Sequence, residues 1–141
     1  MIDGGLWKII RAPLMAFGHI ERIENSLGLG VPDTCFILTF RDKSSSGWLE
    51  LKSVPKPPVR PQTPFRIKSL TKDQVLWQEK WWKAGGRVYT LVRVGKDLFI
   101  LLDPPTLRPI NSGLLTLEEV LKRSRHQKGF RVAELVQWLI E

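Results

Sequence analysis

The chain has 141 residues, which is enough for one domain that buries a core without support from disulfides or a structural metal. Lysine and arginine total 22 against 14 acidic residues, so the net charge is +8, and we expect attraction to a polyanion such as nucleic acid. No apolar run approaches the length that crosses a bilayer, and the N-terminus lacks a signal-peptide pattern, so we expect an intracellular protein that does not associate with membranes.

Two other kinds of site find little support. The two histidines and the single cysteine lie far apart in sequence and do not match the usual spacing of zinc ligands. Cys35 lies in an apolar run and is interpreted as a packed side chain in a reduced compartment. No glycine-rich loop ends in Lys-Ser or Lys-Thr, so nucleotide hydrolysis is not indicated.

The first predicted element is a helix whose apolar residues recur at helical spacing, namely Leu6, Ile9, Ile10 and Leu14. Pro13 predicts that this helix ends or kinks near Ala12. Residues 19–24 alternate in polarity and indicate a short strand or an extended approach to the next loop. In that loop Gly28 and Gly30 permit a sharp bend, from which Asp33 follows.

Residues 34–40 and 48–54 are predicted strands, joined as a hairpin by the polar stretch 41–47. Since successive side chains on a strand alternate faces, Glu50 and Lys52 project together while Leu49 and Leu51 face a core. A carboxylate there can bind a hard cation, Lys52 can act on the attacking water or the phosphate, and Asp33 can supply a second oxygen. Magnesium suits such a set.

The hairpin presents one difficulty. A symmetric hairpin with Asp33 opposite Glu50 would turn at Arg41-Asp42, but the strongest turn signal is Ser44 to Gly47. The hypothesis therefore requires an asymmetric loop or a bulge.

Residues 55–64 contain five prolines and are predicted to form a stiff, extended surface segment. The segment can be a plain connector. It can also be a basic rail beside the site, because four cations lie on or near it: Lys56, Arg60, Arg66 and Lys68.

A helix over 72–84 is predicted from a Thr71 capping box with Gln74 and from the stop at Gly85-Gly86. Its expected buried stripe is Trp77, Trp81 and Ala84. Gln74 and Gln78 are one turn apart and could face a strand or a ligand.

Two strands follow, over 87–94 and 98–102, and residues 104–113 are predicted to be loop. A capping box at Thr116 opens a helix to about Arg123, and a final helix over 131–140 has an apolar face that needs a core or a partner. Between these helices lies a cluster of basic residues that is either a solvated link or a phosphate-contacting patch: Arg123, Arg125, His126, Lys128 and Arg131. The whole predicts an α/β domain over 1–141, with a small mixed sheet flanked by helices, a core over about 1–103 and a helical extension over about 114–141.

The combined motifs resemble the PD-(D/E)xK nuclease superfamily. They are Gly30-Val31-Pro32-Asp33, Trp48-Leu49-Glu50-Leu51-Lys52, and Gln74 before Trp77 with Gly85-Gly86 after it. Within that superfamily they are most similar to the virus-type replication-repair nuclease branch (VRR-NUC), with its phage members and Holliday-junction-resolving relatives. The resemblance covers about residues 20–95.

This resemblance implies a restriction-endonuclease-like core and a role for each matching residue. Asp33 and Glu50 would be metal ligands together with the Leu51 carbonyl, and Lys52 would be the catalytic lysine. Gln74 would be the supporting glutamine, with Gln78 as the alternative. The family's acid on the first helix has no clear match here, since Asp3 stands at the very start; Glu24 is preferred and Glu21 follows.

The implied activity is a magnesium- or manganese-dependent DNA endonuclease of cytoplasmic, phage or bacterial type. Its substrate could be branched DNA, and resolving a four-way junction would require a homodimer, for which the apolar face of the last helix is a candidate surface. The rail residues, with Arg125 and Lys128, would contact DNA. Two alternatives stay open: a non-catalytic basic nucleic-acid-binding protein, and a small interaction or inhibitor protein that docks through its proline-rich segment.

Overall fold

The computed structural model describes residues 4–23 and 28–141. Six strands form one mixed sheet in the order β1-β2-β3-β4-β5-β6, in which only β3 and β4 are parallel neighbours. The strands are β1 (Gly18–Arg22), β2 (Thr34–Phe40), β3 (Lys43–Val54), β4 (Val88–Val94), β5 (Leu98–Leu102) and β6 (Arg125–Lys128), and the helices are α1 (Gly4–Met15), α2 (Lys72–Lys83), α3 (Pro104–Asn111), α4 (Leu117–Arg123) and α5 (Val132–Ile140). The predicted α/β class with a small mixed sheet is confirmed.

Helices cover both faces of the sheet, so two apolar layers form around it. On one face α1 and α5 pack over strand residues such as Leu38, Leu49 and Leu91. On the other face the segment 65–70 and the helices α2, α3 and α4 pack over residues such as Val92 and Ile100. No helix in the described part of the chain is long and apolar enough to span a membrane.

Helix α5 belongs to the first of these layers. Leu135, Val136 and Leu139 are buried against the sheet and α1. Burial of three aliphatic side chains is a sufficient reason for the apolar face of this helix. The prediction that this face serves as a dimer surface is therefore wrong, because the chain covers it with its own sheet.

The β2-β3 hairpin is symmetric and needs no bulge. Phe40 pairs with Lys43, so the chain turns through Arg41 and Asp42, which both adopt positive φ (51° and 69°). Two-residue turns with this left-handed backbone match the twist of the flanking strands. The predicted turn at Ser44 to Gly47 is wrong, since these residues lie in β3. A Cβ on Gly47 would lie 2.8 Å from the Arg87 Cβ, so this glycine permits close packing within the sheet.

Helix α2 has the predicted capping box, in which Thr71 and Gln74 bond each other's backbone N–H. Its predicted buried stripe is wrong. The buried residues are Val75 and Gln78, whereas Trp81 is 40% exposed. Ala84 is also exposed, and Trp77 is half-buried.

Three other sequence expectations also fail. Helix α1 continues through Pro13 to Met15, so it does not end near Ala12, and the alternative of a kink at Pro13 stays a prediction. Residues 104–111 form α3 instead of a loop, since Pro104 occupies the first helical position, where a missing N–H has little cost. Residues 125–128 form β6 at the sheet edge and pair with β5, so the C-terminal part is not helical throughout.

Candidate active site

The hairpin register brings the two predicted acids together. Thr34 is paired with Leu49, so the preceding residue, Asp33, lies opposite Glu50 on the same face of the sheet. The Asp33 backbone N–H donates a hydrogen bond of 3.1 Å to Glu50 Oε2. The predicted juxtaposition of Asp33 and Glu50 is thus present at the point where β2 begins.

Lys52 follows on the same face of β3. Its Nζ lies 3.6 Å from Glu50 Oε1 and donates a 2.6 Å hydrogen bond to the Ser69 carbonyl oxygen. Glu50 is 0% exposed and Lys52 4% exposed, so this ion pair lies in the interior of the fold. Leu49 and Leu51 face the opposite, apolar layer, as the alternation predicts.

Burial changes the acidity of Glu50. Its removal from water, and then the neighbouring Asp33 carboxylate, raise the pKa of Glu50 to about 7, although Lys52 and the Asp33 N–H act in the opposite direction. Near neutral pH this carboxyl therefore exchanges between its protonated and ionised forms, and a bound cation would favour the ionised form. Buried ion pairs add little net stability, which favours a functional reason for this one.

Two oxygens of the acid pair have no hydrogen-bond partner. Asp33 Oδ2 and Glu50 Oε1 are both buried and accept no hydrogen bond, although Glu50 Oε1 lies within ion-pair distance of Lys52. Buried carboxylate oxygens that accept no hydrogen bond are costly, and a divalent cation with a preference for oxygen ligands would satisfy both. Residues 4–23 and 28–141 contain no cluster of three or more histidines, cysteines and acids that could hold a metal. Among the described residues, a site here would therefore have two carboxylates and a further oxygen.

The Leu51 carbonyl is placed to be that further oxygen. The Trp48 N–H donates a hydrogen bond to the carbonyl oxygen of Arg87, the residue before β4, so the backbone groups of Trp48 point toward β4. Along a strand, the N–H and C=O groups of successive residues point alternately to the two neighbouring strands. The Leu49 carbonyl accordingly points toward β2, where it accepts a hydrogen bond from the Thr34 hydroxyl. The Leu51 carbonyl points the same way, toward the segment that leads into β2 and ends at Asp33. These residues fit magnesium or manganese, both of which accept carboxylate, carbonyl and water oxygens.

The third acid has three sequence candidates, of which the structure describes one. Asp3 and Glu24 lie outside the described residues. Glu21 lies on β1, exposed, with its carboxylate 3.3 Å from His19. Ile23, the last described residue before Glu24, lies beside the site, since its N–H donates a 2.7 Å hydrogen bond to the Asp33 carbonyl. Glu24 stays the preferred prediction.

The two glutamines of α2 have different partners. The Gln74 side chain accepts the Thr71 N–H at 2.9 Å and completes the capping box. Gln78 is fully buried and exchanges two hydrogen bonds with the Thr90 hydroxyl, at 2.9 and 3.2 Å. Thr90 pairs with Glu50 in the β3-β4 register. Gln78 is thus the glutamine that reaches the sheet beside Glu50. The sequence signal that could have identified it is its spacing of three residues from Val75, which places both side chains on one face of the helix.

A tryptophan cluster lies on the other side of Glu50. Trp48 lies two residues before Glu50, so the two side chains share a face of β3. The Trp48 ring packs edge-on against Trp77 and Trp81, with ring centroids 5.5 and 6.0 Å apart. Trp77 and Trp81 stack on each other at 4.9 Å. Such pairs contribute about 0.5–1.5 kcal/mol beyond the area they bury. The cluster therefore forms a fixed wall beside the acids.

The predicted DNA-contacting cations divide into two groups. Lys56, Arg60, Arg66 and Lys68 are exposed and lie in or beside the proline-rich segment, and Lys128 is exposed on β6. Arg125 is half-buried and contacts Asp103, Glu141, the Trp138 carbonyl and the Tyr89 ring. These contacts give Arg125 a structural role between β6 and α5.

Comparison with known proteins supports the fold. The structure is similar to that of Hjc from Archaeoglobus fulgidus, a Holliday junction resolvase from an archaeal hyperthermophile. The match has a TM-score of 0.51 and 13% sequence identity, and it covers 94% of each chain. No protein-family model matches the chain. No curated protein matches its sequence. The likeness establishes a resolvase-type fold, and the resemblance to the VRR-NUC branch stays a prediction.

Proposed function

We propose that this chain is a metal-dependent nuclease that hydrolyses DNA phosphodiester bonds. The observation that carries the proposal is the pair of buried oxygens on Asp33 and Glu50 that accept no hydrogen bond, beside the Lys52 ammonium. The net charge of +8 and the fold shared with a Holliday junction resolvase support the same function.

In the proposed mechanism, Asp33, Glu50 and the Leu51 carbonyl would hold one divalent cation, magnesium or manganese. When bound, that ion would neutralise charge on the scissile phosphate and acidify a water molecule. Lys52 Nζ, fixed by Ser69, would donate a hydrogen bond to the attacking water or to a phosphate oxygen. Asp33 is the half-buried member of the set, so the substrate would approach from its side.

The proposed substrate is branched DNA, because the structural neighbour is a Holliday junction resolvase. Symmetric cleavage of a four-way junction would require two copies of this chain, although the face of α5 is not available for their contact. We further propose that the protein works in the cytoplasm.

The test is incubation of labelled plasmid, linear duplex and junction DNA with magnesium, with EDTA, and with the variants Asp33→Asn and Lys52→Met. We expect cleavage by the wild-type chain with magnesium only, and loss of cleavage in both variants. Lys8→Met, which alters an exposed lysine on α1, is the matched control and should cleave normally. Cleavage that persists in EDTA or in Lys52→Met would contradict the mechanism.

A second candidate function is nucleic-acid binding without catalysis. The complete burial of Glu50 favours it, because a buried carboxylate is not directly open to substrate. This candidate predicts that no DNA is cut and that Asp33→Asn binds DNA as tightly as the wild-type chain.

A further inference from the structure

A cavity of about 380 Å³ opens at the C-terminal end of β3. Its volume lies in the range of sites that bind small molecules, about 300–1,000 Å³. Much of its wall is apolar, formed by Val54, Pro55, Pro58 and Pro64. None of these side chains takes part in the chemistry proposed for Asp33, Glu50 and Lys52, so the cavity requires a separate explanation.

The wall of the cavity is held in place by the fold. Phe65 and Ile67, which flank the lining residue Arg66, are buried in the second apolar layer. The Phe65 N–H donates a 2.8 Å hydrogen bond to the Leu115 carbonyl, and Pro64 forms a bridge to Thr116. Prolines restrict the remaining backbone of this wall. A preformed wall loses little conformational entropy when a ligand binds.

The charge around the cavity is positive. Lys56, Arg66 and Lys68 line it, and no aspartate or glutamate does. The Arg66 guanidinium donates a 3.4 Å hydrogen bond to the Asn111 carbonyl. Within the described part of the chain, neither Lys56 nor Lys68 forms an ion pair. The cavity thus combines an apolar wall with a cationic rim. A ligand that fits it would have a flat apolar part and an anionic part.

The cavity adjoins the proposed catalytic lysine. Val54 lies two residues after Lys52 on the same face of β3, which corresponds to about 7 Å along the strand. Lys68 precedes Ser69, whose carbonyl accepts the hydrogen bond from Lys52 Nζ. A strand of DNA whose phosphate reached Lys52 would therefore place an adjacent nucleotide at the cavity.

We propose that this cavity takes one unpaired nucleotide of the DNA substrate, next to the phosphate that is cut. The base would pack on the proline and valine wall, and its phosphates would contact Lys56 and Lys68. This inference rests on the proposed nuclease function and narrows its substrate. A base held in a duplex cannot enter without being flipped out, which costs a few kcal/mol, whereas an unpaired base enters without that cost. Among branched DNAs, the preferred substrate is therefore one with an unpaired nucleotide at the branch, in contrast to a fully paired four-way junction.

The test measures binding in EDTA, so that its outcome does not depend on cleavage. Two DNA duplexes of equal length carry 2-aminopurine, one in a single-nucleotide bubble and one fully paired. We expect the wild-type chain to bind the bubble about tenfold more tightly, and to raise its fluorescence as the base leaves the stack. The double variant Lys56→Ala/Lys68→Ala should lose both the preference and the fluorescence rise.

The matched control is Lys8→Ala/Arg11→Ala, which removes the same charge from the exposed side of α1. It should weaken binding to both DNAs equally and keep the tenfold preference. Circular dichroism checks the fold, and the single variants Lys56→Gln and Lys68→Gln replace the double variant if it unfolds. Equal affinity of the wild-type chain for the two DNAs, or a preference that survives removal of both lysines, would overturn the inference. Failure of the proposed function would appear separately, as no cleavage of any DNA with magnesium.

Discussion

The two faces of β3 are equally buried but differ in what they bury. Leu49 and Leu51 point into the layer under α1 and α5, where transfer of aliphatic surface from water stabilises the fold. Glu50 and Lys52 point to the other face, where the same depth of burial places two charged groups in the interior. One face thus stabilises the fold, whereas the other holds an ion pair whose burial adds little net stability, which favours a functional role for it.

The largest expected effect concerns catalysis on the charged face. Lys52→Met keeps the bulk of the side chain but removes the ammonium, so cleavage of branched DNA should fall about a thousandfold. The melting temperature should fall, because removing one partner of a buried ion pair leaves the Glu50 carboxylate without its counter-charge. Single-turnover cleavage and calorimetry measure the two effects. A variant that unfolds while retaining its specific activity would show that Lys52 has a structural role alone.

The next effect concerns stability on the apolar face. Leu51→Ala should lower the free energy of unfolding by about 2–5 kcal/mol, through lost burial and the cavity that remains. Ile37→Ala is the matched control, because Ile37 on β2 is 55% exposed and its truncation should cost under about 0.5 kcal/mol. Denaturant titration measures both. Equal losses at the two positions would contradict the assignment of Leu51 to the core.

A smaller effect concerns the polar pair that adjoins Glu50. Gln78→Leu leaves the Thr90 hydroxyl without its partner, and Thr90→Val does the same to Gln78, so each should cost about 1–3 kcal/mol. The double variant should cost less than the sum of the two single variants, because it leaves no unpaired group from this pair. Additive losses in a double-mutant cycle would show that the two residues do not act as a pair.

The last effect is the pH dependence that Glu50 adds to stability. The pKa of Glu50 rises from 4.5 to about 7 on folding, so the folded chain holds this proton more tightly than the unfolded chain. This contribution is fully present below pH 4.5, declines as pH rises to about 7, and is absent above it. In EDTA, Glu50→Gln should therefore lose less stability than the wild-type chain between pH 5 and pH 8, as followed by thermal melts. Parallel pH profiles would contradict the raised pKa.

Much of the site follows from local sequence patterns. Strand alternation places Glu50 and Lys52 on one face, and the capping boxes at Thr71 and Thr116 fix the starts of α2 and α4. These features depend on neighbouring residues, so the sequence contains the information needed to predict them. The same holds for the start of β2 just after Asp33.

The remaining features depend on contacts between distant parts of the chain. The Arg41-Asp42 turn is set by pairing along the whole hairpin, while Gly47, which looks like a turn residue, accommodates Arg87. Gln78 has its role because β4 passes beside α2, and Lys52 is oriented by Ser69, seventeen positions away. Spacing within one element cannot reveal such partners.

The central claim, that Asp33 and Glu50 form a cation site, is tested most directly by calorimetric titration of the DNA-free chain with manganese at pH 8. We predict one bound ion per chain for the wild type, and none at the same concentrations for Asp33→Asn or Glu50→Gln. Lys52→Met should still bind the ion, since Lys52 is not a ligand. Absence of binding to a folded wild-type chain, or equal binding by Asp33→Asn, would contradict the claim.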